Sequence, residues 1–121
     1  MIILVADDSR AMRLIVIRTL RQAGFAGHKV IEAENGKQAF DLCVKHNPDL
    51  ILSDWNMPEM TGLDFLRALR ASGKNTPFCF VTSEGSEEMR EYAKAAGAVD
   101  LIAKPFTAEI FSDVLSTVVK V

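Results

Sequence analysis

Five short apolar runs, four of them followed by a segment of helical period and one by a capped acidic opening, constrain this chain more than any other feature. Ile2–Ala6, the run centred on Val30-Ile31, Leu50–Ser53, Phe78–Thr82 and Val99–Ala103 read as strands. After the first run, Met12, Ile15, Val16, Leu20 and Ala23 recur at steps of three and four, as one face of an amphipathic helix requires. Ala39, Phe40, Cys43 and Val44 form a second such stripe, and Leu63, Leu66 and Leu69 a third. A fourth helix is expected from Ser86 as N-cap, with Glu87 and Glu88 where the helix dipole favours negative charge. Thr107 should cap a fifth, whose stripe Ile110, Phe111, Val114, Leu115 and Val118 points to a helix running on to Val121.

Strict alternation of this kind calls for a parallel sheet, because parallel neighbours need a crossover and helices usually supply it. Strands this apolar on both faces are covered on both sides. Five units fall short of the eight needed to close a barrel, so the expectation is an α/β fold with an open, doubly wound (βα)5 sheet. At 121 residues the chain fits one domain, 1–121, and leaves no room for a second.

Composition removes several function classes. Fourteen basic against sixteen acidic side chains give a net charge of -2, which offers no general field for nucleic acid. Cys43 and Cys79 stand far apart without metal-ligand spacing and read as free buried thiols. No segment approaches the roughly 18 consecutive apolar residues of a spanning helix, so no membrane insertion and a cytoplasmic location are expected.

Open sheets bind ligands beyond the carboxyl ends of their strands. There the chain places Asp7-Asp8 after the first strand, Asp54 after the third, Thr82-Ser83 at the fourth and Lys104-Pro105 after the fifth. Taken singly, each has a bland reading: Asp8 could cap the first helix, and a lone Lys-Pro is a turn. Together they converge on one edge. Three neighbouring carboxylates repel, and a divalent cation with oxygen ligands offsets that repulsion.

With Asp54-Trp55-Asn56-Met57-Pro58, Gly62 and Lys104-Pro105-Phe106 added, the whole chain resembles the receiver domain of bacterial two-component response regulators, most closely the single-domain, CheY-like ones. That resemblance implies a strand order of 2-1-3-4-5 and a phosphoacceptor switch rather than an enzyme, beyond self-catalysed phosphotransfer and autodephosphorylation. It implies Asp54 as the phosphoacceptor and Mg²⁺ (or Mn²⁺) held by Asp7, Asp8, Asp54 and the backbone carbonyl of Asn56. Thr82 and Lys104 would contact the phosphoryl oxygens, and the Lys104–Pro105 peptide would be cis. Implied partners are a sensor histidine kinase or phosphotransfer protein and a downstream protein target, met by a monomer, with a chemotaxis-like or phosphorelay role.

Several residues qualify this picture. Receivers carry a switch aromatic three residues before the lysine, and here that position is Leu101. Leu14 and Ile17 lie off the apolar stripe of the first helix, and read either as a donor-docking patch or as the flank of a wider stripe. Asn56 and Glu84 match the pattern of fast-decaying chemotaxis-type regulators. Tyr92, Met89 and Phe106 read as packing residues, and His28 and His46 as surface or helix-end histidines. A Mg²⁺-dependent phosphohydrolase using an aspartyl phosphate is the alternative. It would normally carry Asp-x-Asp after the first strand, where this chain has Asp7-Asp8. A flavin carrier would need a Ser/Thr/Gly-rich loop in place of Asp7-Asp8-Ser9-Arg10, and no G-x-G-x-x-G or G-x-x-x-x-G-K-[ST] motif occurs.

Overall fold

A computed structural model describes residues 1–118. Its strands are β1 (Ile2–Ala6), β2 (Lys29–Ala33), β3 (Leu50–Ser53), β4 (Phe78–Thr82) and β5 (Asp100–Ala103), all parallel in the order 2-1-3-4-5. The helices are α1 (Arg10–Leu20), α2 (Gly36–His46), α3 (Gly62–Ala71), α4 (Glu87–Ala95) and α5 (Ala108–Leu115). Each opens on a side-chain oxygen that takes up an orphan backbone N–H: Ser9, Asn35, Thr61, Ser86 and Thr107. The α1 cap is therefore Ser9, and the carboxylate of Asp8 is left for other work.

Because successive strand side chains alternate in direction, the sheet supports two cores. Ile3, Val5, Leu52, Val81 and Ile102 face Val16 and Leu20 of α1 and Phe111 of α5. Leu4, Ile51, Phe78, Phe80 and Leu101 face the other way, toward Phe65 and Leu66 of α3 and Ala93 of α4. This second core is built on aromatic contact, with Phe65 to Phe78 at 5.4 Å, Phe78 to Phe80 at 4.9 Å and Trp55 to Phe80 at 4.6 Å. Cys43 and Cys79 are free and buried, and burial pushes their thiols up to about 11 and about 12.

Some expectations fail for local reasons. The buried face of α1 is turned from the expected stripe: Ile17 is buried, while Ile15 is 43% exposed and Leu14 49% exposed. Arg13 causes part of this, because its guanidinium enters the protein to meet Asp7 and Glu32. Val44 and Ile110 are also exposed, since α2 and α5 each bury a narrower stripe than their sequences offer. Tyr92 is 57% exposed rather than packed, and Met89 takes the place against the core. Phe106 does pack, 4.7 Å from Phe111. The helix α5 stops at Leu115 and turns through Val118; its expected run to Val121 ends outside the described residues.

Candidate functional site

Register brings the aspartates together. Ala6 at the end of β1 lies beside Ser53 of β3, so the residues that follow, Asp7 and Asp54, leave the sheet side by side. Backbone bonds fix both departures: Asp7 N–H donates to the Ala33 carbonyl at 3.0 Å and Asp54 N–H to the Ala6 carbonyl at 2.8 Å. Gly62 closes the loop behind Asp54. Its N–H donates to the Trp55 carbonyl at 2.8 Å, and a Cβ there would stand 2.0 Å from the Asp54 carbonyl oxygen, a clash no relaxation of a side chain would relieve.

The carboxylates of Asp7, Asp8 and Asp54 offer oxygens within 4.8 Å of one another. Asp7 is buried; one oxygen accepts from Ser9 N–H at 2.9 Å and the other from Lys104 Nζ at 3.1 Å. Asp54 is half-buried, accepting from Trp55 N–H at 2.7 Å on Oδ1, with Lys104 Nζ 3.5 Å from Oδ2. Asp8 is exposed at the mouth. Burial pushes the Asp54 carboxyl above the ordinary carboxylate range; Lys104 works against that, and the Asp7 charge adds to it.

Lys104 reaches the trio from the far side of the sheet. Its N–H donates to the Thr82 carbonyl at 2.8 Å, and the peptide bond to Pro105 is cis, as the resemblance implied. Thr82 itself is fully buried at the end of β4, with the Glu84 N–H 3.4 Å from its hydroxyl. Asn56 and Glu84 are exposed on the two loops that rim the site. Three carboxylates against one ammonium leave two negative charges uncompensated, and every donor is a hard oxygen. Such a set fits Mg²⁺ or Mn²⁺.

The residues from 3 to 116 match the family model described as the response regulator receiver domain. The chain belongs to that family. It is accordingly a phosphoacceptor response regulator of two-component signalling, a switch rather than a metabolic enzyme. A chemotaxis protein CheY homolog of Campylobacter jejuni is 40% identical over 119 residues, 96% of this chain and 90% of the relative. The chemotaxis protein CheY of Pseudomonas aeruginosa is 39% identical over 113 residues, covering 92% of this receiver and 90% of the relative. Among solved structures, chemotaxis protein CheY4 of Vibrio cholerae superposes with a TM-score of 0.84 at 38% identity, covering 98% of both chains.

One part of the receiver site, the role of Arg13, escaped the sequence reading. Arg13 is 7% exposed and donates from Nη1 to the Asp7 carbonyl at 2.7 Å while its Nε meets Glu32 at 2.9 Å. Its only trace in sequence is a basic residue six positions after Asp7. Leu101, at the position of the family's switch aromatic, is buried beside Phe80 of β4 in the second core. Among the described residues no helix is long and apolar enough to cross a membrane.

Proposed function

We propose that residues 1–121 form one receiver in which Asp54 accepts a phosphoryl group from the phosphohistidine of a sensor kinase or phosphotransfer protein. What supports this above all is the Lys104 ammonium, held between Asp7 at 3.1 Å and Asp54 at 3.5 Å where an incoming phosphoryl group would need a positive charge. An ionised Asp54 oxygen attacks phosphorus as the P–N bond of the donor breaks. The bonding electrons leave with the imidazole nitrogen, which takes up a proton. Lys104 moves from carboxylate to phosphoryl oxygen, and the Thr82 hydroxyl turns to donate to another. Asp7, Asp8, Asp54 and the Asn56 carbonyl would hold Mg²⁺, which when bound neutralises charge on the transferred group. Asn56 and Glu84 at the rim favour rapid hydrolysis of the acyl phosphate by admitting water.

The phosphorylated monomer then changes its affinity for a downstream protein in the cytoplasm. The relatives' names point to a chemotaxis-like output, and a phosphorelay is served by the same residues. Incubation with acetyl phosphate and Mg²⁺ should add one phosphoryl group per chain, quench Trp55, and do neither in Asp54→Asn. Undiminished incorporation in Asp54→Asn would overturn the assignment.

A further inference from the structure

The terminal strand β2 has an open flank on the side away from the phosphoacceptor chemistry. Lys29 N–H donates to the Met1 carbonyl at 3.1 Å, and the Ala33 carbonyl accepts from Asp7 at 3.0 Å. Residues 29, 31 and 33 therefore spend their backbone groups on β1, so Val30 and Glu32 turn theirs outward. No strand lies there, because β2 ends the sheet. Beside this flank runs a groove of about 420 Å³ between β2 and α1. Leu14, Ile17 and Val30 give it apolar walls, while Arg18 and Arg21 stand along its α1 side.

Charge sets what the groove accepts. Among the described residues neither arginine pairs with a carboxylate. The one acid in the groove, Glu32, is already bonded to Arg13. In a chain of net charge -2 this is a local reversal of sign. We infer that the β2 flank docks an extended acidic segment of a partner protein, which adds as a sixth strand and sends alternate side chains into the α1–β2 groove. Main-chain bonds to Val30 and Glu32 supply affinity, and the arginines select for glutamate or aspartate. A second copy fits less well, since the sole carboxylate of its β2 is Glu32, already engaged.

The proposal is independent of phosphotransfer and is tested without it. A labelled octapeptide alternating glutamate and valine is titrated into the full chain, followed by anisotropy and backbone amide NMR. Binding should weaken with salt, and amide exchange at Val30 and Glu32 should slow. Arg18→Glu with Arg21→Glu, both on exposed positions, should weaken binding about tenfold or more with an unchanged melting temperature. Equal binding of a lysine–valine peptide, indifference to the double substitution, amide changes confined to another face, or β2-mediated dimers without peptide would each overturn it.

Discussion

At the β1–β3 side of the sheet's carboxyl edge, three carboxylates crowd one ammonium, and burial raises the Asp54 carboxyl. Toward the amino end of β5, Leu101 is 1% exposed under apolar neighbours, and Arg90 of α4 bonds both the Asp100 carboxylate and the Leu101 carbonyl, the latter at 2.7 Å. The first side stores unfavourable negative charge that a cation relieves. The second is sealed, with its polar groups satisfied. Thr82 joins them, since its carbonyl holds Lys104 and its hydroxyl faces the loop that leads to α4. The contrast teaches that the charge is concentrated at the first side, while the second is an apolar seal with leucine, not an aromatic side chain, at position 101.

Lys104→Ala should break the first side with the largest effect. It removes the only cation bridging Asp7 and Asp54 among the described residues, so phosphorylation by acetyl phosphate should slow about 10²–10³-fold, as loss of a preorganised charge does elsewhere. Rates within a few-fold of the parent would place the positive field elsewhere.

Leu101→Ala should strike the second side alone. Truncating a fully buried leucine costs about 2–4 kcal/mol, read by chemical denaturation, while acetyl phosphate labelling of the folded fraction stays near the parent rate. Slowed labelling would show that the two sides are not separable.

Arg90→Ala gives the smallest change. The pair with Asp100 is partly exposed, so the loss should be about 1 kcal/mol, diminishing little further in Arg90→Ala with Asp100→Ala. The sharper reading is hydrogen exchange across α4, which should rise in the single variant more than at α1. Equal rises would mean that Arg90 does not clasp α4 to β5 in particular.

Much of this was legible before any coordinates. Strand ends were readable because β-branched and aromatic runs stop abruptly at Asp7, Asp54 and Lys104, and two helix starts because Ser86 and Thr107 are capping types. Side-chain direction was not. Ile15 and Ile17 have the same chemistry, yet α1 buries Ile17 in the core with Val16 and Leu20 and leaves Ile15 43% exposed, with Arg13 turned inward to meet Asp7 and Glu32. Tyr92 reads as a core residue on helical spacing, yet α4 offers Ala93 and Met89 to the sheet instead.

Local chemistry along the chain thus determined the element order, the parallel sheet and the identity of Asp7, Asp8, Asp54, Thr82 and Lys104 as a group. Those follow from periodicity and from turn and cap preferences, which act over a few residues. Tertiary structure alone decided that Lys104 lies within 3.5 Å of two aspartates, and that the outer flank of β2 is open beside a cationic groove. These depend on strand register and on which helix face meets the sheet, quantities set by contacts between residues as many as 97 positions apart.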